Sequence, residues 1–491
     1  MPFLPVILWS DVLIWLLFVA AGFFGWLSLR NPLWRTAWQR VGRSRAGMAS
    51  ATLLLVFVAV GLLDSLHYRP RLENAAGQPP SGEASQEAAS DASKQPAAYA
   101  VEVLSLLDAI LTPLRTQNEK TYSEPLATRA YAKESIESRD AAGELQQTRD
   151  YPRLRHGGAH LGADEAGRDA DVGQRLLRAL ALATLAWWVL AAATAARLAR
   201  RESCAHKEAW RRIWRNESEF AWNAVLAAVG VVLLVALPLA TLAVHYHVFG
   251  TDKVGQDVFY QVLKSVRTAL VIGLVTTLVT LPLSIFLGVL AGYFRGWVDD
   301  LIQYLYTTLS SIPGVLLIAA AVLMMQVLID NHPQWFTTAA ERADLRLLAL
   351  CFILGVTSWT GLCRLLRGET LKLRELEYIQ AAQAFGVADL RIIGRHILPN
   401  LMHIVIIALV MDFSSLVLAE AVLSYVGIGV DPTMISFGTM INNARMELAR
   451  EPMVWWSLAA AFVFMFALVL AANLLADAVR DAFDPRMAGS A

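Results

Sequence analysis

Apolar residues recur along the chain in runs of about 20, the length a helix needs to cross a hydrocarbon core of ~30 Å. Within lipid, backbone groups must bond inside their own segment, so such runs read as helices. Nine qualify, at approximately 5–28, 47–65, 176–197, 222–245, 267–292, 303–328, 346–365, 401–427 and 454–477. The first lacks a basic leading region and a small-residue cleavage site, and reads as a retained span. Pro238, Pro282 and Pro313 fall inside runs, where neighbouring helices can accommodate them. The pattern predicts an all-α integral membrane protein with about nine transmembrane helices.

Between the second and third runs the pattern disappears. The stretch from Leu66 to Gln174 is rich in Ala, Ser, Glu, Gln, Gly and Pro, as in QPPSGEASQEAASDASKQP. Its early part cannot bury enough apolar surface to offset chain entropy and is expected to be disordered. Tyr99 to Leu114 is amphipathic and suits a short helix. The expected organisation is a two-span region (1–65), a largely polar extracytoplasmic insert (66–175), a third span with a basic loop (176–219) and a six-span domain (220–491).

Charge orients these spans. The chain is 56% hydrophobic and 17% charged, against roughly 25% charged in ordinary soluble domains. Its 42 basic and 42 acidic residues cancel, so position matters more than the total. Arginine and lysine concentrate after runs one, three and seven, which lie on one side by parity. That side is expected to be cytoplasmic, with the N-terminus outside and the C-terminus inside. Cys204, Cys351 and Cys363 have no metal or redox spacing and read as small packed residues. No Gly-x4-Gly-Lys-Ser/Thr loop, His-Glu-x-x-His or Gly-x-Ser-x-Gly occurs, so the expectation is no catalytic residue, no metal, no cofactor and no ATP site in this chain.

The most informative polar segment follows run seven: ELEYIQAAQAFGVADLRIIGRHILPN, Glu375 to Asn400. Leu373, Leu376, Ile379, Ala382 and Phe385 recur every third residue and suggest one apolar face on a short helix. Gly386 can take the left-handed conformation that ends a helix. Asp389 suits the start of the next turn, and Leu390, Ile393 and Ile397 rebuild an apolar stripe before Pro399. The expectation is a helical elbow standing out of the membrane at 375–400. A second structured segment, HVFGTDKVGQDVFYQVLKSVRTAL, precedes run five. Gly250 and Gly255 permit tight turns there, and Asp252 and Asp257 can bond local backbone. His245 and His247 lack a third ligand and read as structural.

The elbow resembles the EAA loop of ABC importer permeases, with Gln380, Ala381, Ala382, Gly386, His396, Leu398 and Pro399 at the motif positions. Gln380 replaces the family's glutamate and His396 its isoleucine. The loop holding Gly250, Thr251, Asp252, Gly255 and Asp257 resembles the outer signature of the dipeptide/oligopeptide/nickel class, with Val248 and Gln256 replacing a proline and an arginine. GYFRGWVDDLIQYLYTTLSSIPG, SWTGLCRLLRGETLKLRELEY, LAEAVLSYVGIGVDPTMISFGTMINNAR and LADAVRDAFDPR extend the likeness over roughly residues 220–488. The three N-terminal spans and the insert fall outside it.

The resemblance implies a type I importer fold for the last six spans, in a bacterial inner membrane. It implies as partners a second permease subunit, two ATPase subunits that bind ATP, and an extracytoplasmic solute-binding protein. Gln380, Ala381, Ala382, Gly386, Leu398 and Pro399 would then couple ATPase closure to the solute path. Asp412 and Glu420 lie within run eight, where a charge costs about 2.5–3.5 kcal/mol on insertion scales. Both are candidates for lining the path; equally, Asp412 can pair with a partner subunit and Glu420 can serve as a structural hydrogen-bonding residue. Rival readings are an ion-gradient transporter using Asp412 or Glu420, and a membrane sensor or scaffold working through the insert. Nothing points to nucleic acid.

Overall fold

The computed structural model describes residues 3–30, 32–71, 99–139, 145–162, 167–336 and 338–483. The stretch expected to be disordered lies mostly outside them, as do the last residues of the C-terminal motif.

Chain order begins with strand β1 (Phe3–Val6) and helices α1 (Trp9–Arg30), α2 (Pro32–Arg43) and α3 (Arg45–Asp64). The insert contributes β2 (His67–Pro70), β3 (Leu104–Ser105), short helices α4 (Leu106–Ile110) and α5 (Thr112–Thr116), and β4 (Glu134–Arg139) and β5 (Leu145–Asp150). Then follow α6 (Arg168–Arg201), α7 (His206–Arg215), α8 (Trp222–Ala243), α9 (Val258–Phe294), α10 (Gly296–Ser311), α11 (Gly314–Asp330) and α12 (Ala339–Arg374). The chain continues through α13 (Glu377–Ala384), α14 (Asp389–Ile392), α15 (Leu398–Val426), α16 (Phe437–Glu447) and α17 (Trp456–Phe483).

Eight described helices are long and apolar enough to span a membrane. The ninth expected span, 303–328, is not one straight helix: α10 and α11 meet at 88°. Pro313 removes a backbone donor and pushes Ile312 into an extended conformation (φ −89°, ψ 133°), so the helix breaks. Pro238 and Pro282 stay inside α8 and α9. The helical expectation holds, and short strands accompany the helices. β1, β2 and β3 form an antiparallel sheet in that order, and β4–β5 form a hairpin. Phe3 pairs with Pro70 and Val6 with His67, so the first apolar run opens as a strand, with its helix starting at Trp9.

The core is the pair α9 and α12. Asp257 caps α9 by accepting from the Phe259 amide at 2.8 Å. Small residues then bring the two backbones together, the usual device where lipid supplies no hydrophobic drive. A Cβ on Gly288 would sit 2.8 Å from the Cys363 carbonyl oxygen, and one on Gly292 at 2.8 Å from that of Arg367. Ser284 Oγ donates across the seam to the Trp359 carbonyl at 3.0 Å. α15 and α17 complete this core, joined by Ser414 donating to Asn473 Oδ1 at 2.6 Å.

The N-terminal helices are built into the same bundle. Gly61 of α3 faces Leu270 of α9, and Gly47 faces Ala478 of α17. α6 meets α8 along a seam of fully buried alanines, Ala179, Ala183, Ala191 and Ala195. Trp187 fills the space above Gly230 and donates to the Leu226 carbonyl at 2.7 Å.

Candidate coupling elbow and outer face

α12 runs past the apolar core and turns at Glu375 into α13. The turn out of α13 has the amide of Val387 donating to Ala382 O at 3.1 Å and that of Gly386 to Gln383 O at 2.9 Å. This is a Schellman ending, which needs a left-handed residue; Gly386 supplies it with φ +72°. The chain continues through α14 and a wide π turn, Ile393–Ile397, into α15, whose first turn holds Pro399.

Three isoleucines anchor the elbow. Ile379, Ile392 and Ile397 are fully buried in a cluster with Tyr293 of α9, Leu366 of α12 and Leu401 of α15. The Tyr293 hydroxyl donates to Asp389 Oδ1 at 2.7 Å and lies 3.2 Å from Gln383 Nε2. Arg367 grips Asp299 through two bonds of 2.5 and 2.7 Å, tying α12 to α10. Asp389 therefore bonds a neighbouring helix, and no side-chain cap bond forms at Ala388.

The expected apolar stripes require correction at two places. Phe385 is 87% exposed and Leu390 80% exposed, whereas Ile392, absent from the predicted stripe, is buried. Three-residue spacing drifts by 60° per step on a helix turning 100° per residue, and Phe385 already lies past the end of α13. The outcome is two bare apolar side chains flanking the Gly386 turn. Gln380 and Ala381 are exposed, Ala382 and Leu398 half-buried and Pro399 exposed. Gln380 Nε2 reaches the Glu375 carbonyl at 3.3 Å.

At the other end of α9, the Gly250–Asp257 loop and the insert form one structure. Thr251 is fully buried; its Oγ1 donates to the Thr121 carbonyl at 2.9 Å and accepts from the Ser123 amide at 2.7 Å. Gly255 has φ +80°, and a Cβ there would lie 1.9 Å from the Glu119 carbonyl oxygen. A Cβ on Gly250 would lie 2.4 Å from that of Ser123. Asp252 accepts from the amides of Val254 and Gln256, both at 2.9 Å, and closes the loop. Sequence reasoning left the insert's role open, because nothing local in residues 119–123 records what they touch.

His247 sits at the centre of this junction. Its Nδ1 is 2.7 Å from Asp257 Oδ2 and its Nε2 is 3.4 Å from Glu119 Oε1. Burial alone would lower its pKa; the hydrogen bonds and charges of Asp257 and Glu119 outweigh burial and hold it at about 9. Burial works against ionised Glu119 as well. His247 and the amides of Arg155, His156 and Gly157, at 2.8, 2.8 and 3.1 Å, outweigh it and bring Glu119 down to about 2.

Further charges, missed by sequence reasoning, join the N-terminal helices to the core. Arg267 of α9 donates to Asp11 at 2.6 Å and to Ser10 Oγ at 2.9 Å; Ser10 in turn bonds Asp344 of α12. Lys264 lies 2.6 Å from Asp64 of α3 and 3.1 Å from Asp108 of the insert. The detectable signal was a set of acids at the ends of apolar runs one and two and bases at the start of run five.

Of the two acids in run eight, Glu420 is 1% exposed and accepts from Ser424 Oγ at 2.6 Å and Ser436 Oγ at 2.9 Å. It fastens the outer cap of α16 to α15. Asp412, at mid-helix, is half-buried, and its carboxylate has no polar partner among the described residues.

A family model described as the binding-protein-dependent transport system inner membrane component matches residues 284–489, a stretch that includes the elbow. The glutathione transport system permease GsiD of Pectobacterium atrosepticum is 31% identical over 301 residues, covering 57% of this chain and 91% of that protein. The chain belongs to this permease family. Other family members include the oligopeptide permease OppC of Mycobacterium tuberculosis, 31% identical over 239 residues, covering 49% of this chain and 76% of that one. The dipeptide permease DppC of Bacillus subtilis is 27% identical over 294 residues, covering 57% and 86%. A chain of the MetNI methionine ABC transporter aligns over 46% of this chain at a TM-score of 0.34 and 17% identity, a remote likeness. The relatives are permeases by name, and this family member is likewise a multi-pass membrane permease.

Proposed function

We propose that this chain forms part of the solute path of an ATP-driven importer of peptides or related small solutes. The relatives named for glutathione, oligopeptide and dipeptide transport support that substrate class. Its partners are a second permease subunit, two ATPase subunits at the elbow and an extracytoplasmic solute-binding protein at the opposite face. The chain sits in the inner membrane with its N-terminus outside and the elbow in the cytoplasm, as the basic loops favour.

The observation that carries this reading is the elbow itself. It is pinned by three buried isoleucines yet presents bare Phe385 and Leu390 at its tip. A rigid base with an apolar tip suits a knob that enters a groove of a moving partner. ATP-driven closure of that partner would shift α13, and α13 would move α9, α12 and α15 through their shared cluster. The ion-gradient alternative loses ground because Glu420 is bound by two hydroxyls.

Phe385→Asp tests the proposal, because the side chain is exposed and its loss leaves the fold intact. ATPase subunits are expected no longer to copurify with the detergent-solubilised chain, and solute uptake to fall at least about tenfold. Undiminished copurification and uptake would overturn the coupling role.

A further inference from the structure

Two short helices outside the family match share an unusual design. α2 and α7 each lie across the end of a span and carry basic residues on one side. Arg35, Arg40 and Arg43 of α2 and Lys207, Arg211 and Arg215 of α7 are exposed, and none has a carboxylate partner among the described residues. The opposite sides are occupied by protein. Trp34 and Trp38 of α2 pack edge-on against Phe483 at the end of α17, and Ile213 of α7 is buried among Ala191, Ala195 and Leu226.

The end of α2 touches the segment that links α7 to α8. The Gly42 carbonyl at the end of α2 accepts from the Ala221 amide at 2.8 Å, and the Phe220 ring covers Gly42. Both lie at the elbow end of the molecule, since Val41 shares a cluster with Ile406 near the start of α15 and Val479 of α17. Both sets of charges therefore lie at the same end of the bundle.

Aromatic residues say what that end faces. Trp188 is 56% exposed on the outward side of the spanning helix α6. Trp210 of α7 stacks on it with ring centroids 5.8 Å apart and planes at 6°, and Trp214 follows at 6.3 Å from Trp210. Trp214, 46% exposed and on the same side of α7 as Lys207 and Arg211, suits the boundary between acyl chains and headgroups.

We propose that α2 and α7 together form a binding surface for anionic phospholipid headgroups of the leaflet at the elbow end. The six cations, without carboxylate partners among the described residues, supply the attraction, and Trp214 sets the depth. This surface is independent of the solute carried and of the coupling step.

The test uses the full chain, solubilised in detergent and offered equal amounts of phosphatidylglycerol and phosphatidylcholine, with bound lipid counted by native mass spectrometry. The chain is expected to retain phosphatidylglycerol at least about tenfold over phosphatidylcholine. A variant carrying Arg35→Gln, Arg40→Gln, Arg43→Gln, Lys207→Gln, Arg211→Gln and Arg215→Gln is expected to retain the two about equally, while the same arginines changed to lysine keep the preference. Should the glutamine variant fail to fold, salt decides on the wild-type chain. Between about 0.1 and 1 M the screening length falls from roughly 10 Å to roughly 3 Å, and the preference should vanish. Equal retention by the wild type, a preference that survives the glutamine changes, or one that survives 1 M salt would each overturn the proposal. So would loss of ATPase copurification in the glutamine variant with lipid preference unchanged, which would assign the patch to a protein partner.

Discussion

A single imidazole shows how tightly the face opposite the elbow is joined. His247 is lifted to about 9 from 6.5, so its contribution to stability is complete below pH 6.5 and is lost as pH rises through 9. Glu119 is lowered to about 2 from 4.5, so its contribution is complete above pH 4.5 and is lost as pH falls through 2. The junction is therefore predicted to be firmest between pH 4.5 and 6.5. Hydrogen exchange at the amides of Arg155, His156 and Gly157 should slow in that window and quicken on either side. His247→Gln should remove the alkaline limb of the profile. Gly255→Ala should loosen the same junction at all pH values, since its added carbon would collide with backbone, not with a yielding side chain.

Between elements, buried ion pairs do what apolar contact does elsewhere. Arg267 is wholly enclosed and meets Asp11 from α1. Removing one partner of such a pair leaves an uncompensated charge, at a cost of about 3–5 kcal/mol. Arg267→Met is thus predicted to lower the melting temperature in detergent sharply, and Asp11→Leu added to it should recover most of the loss. Additive losses in the double variant would mean the two residues act separately. Apolar run length made most helices legible in the sequence, because the bilayer imposes one thickness on every crossing. The 88° bend between α10 and α11 was not legible: Pro238 and Pro282 sit within continuous helices, and composition does not separate them from Pro313. The salt links were hidden for a different reason. Asp11 and Asp64 lie far along the chain from Arg267 and Lys264, and only the folded bundle pairs them. In the elbow the Gly386 turn was readable from residue type alone, whereas the burial of Ile392 and exposure of Phe385 depended on where α13 stops.

Taken whole, the molecule is a family permease with additional helices and an insert that pack into its bundle. Deleting residues 1–219 is accordingly predicted to expose Arg267, Lys264 and the lipid-remote face of α9, and to yield an aggregating chain instead of a minimal six-span unit. Recovery of a monodisperse, transport-competent fragment would contradict this. The carboxylate of Asp412, without a polar partner among the described residues, belongs to the same scale, because the proposed solute path would give it a counterpart in cargo or in a partner subunit. Asp412→Asn is predicted to lower uptake of solutes with a free amino terminus severalfold while sparing N-acetylated ones, as competition assays in vesicles would measure. Equal effects on both would remove Asp412 from cargo selection.

Because Gly250, Thr251 and Gly255 are covered by residues 119–123, that turn bares only its tip, Lys253 and Val254, on the face proposed to meet a solute-binding protein. A delivery protein borrowed from a transport system whose permease lacks this covering would therefore meet an unfamiliar landing ground. Swapping such receptors between systems should fail here even when both carry the same cargo.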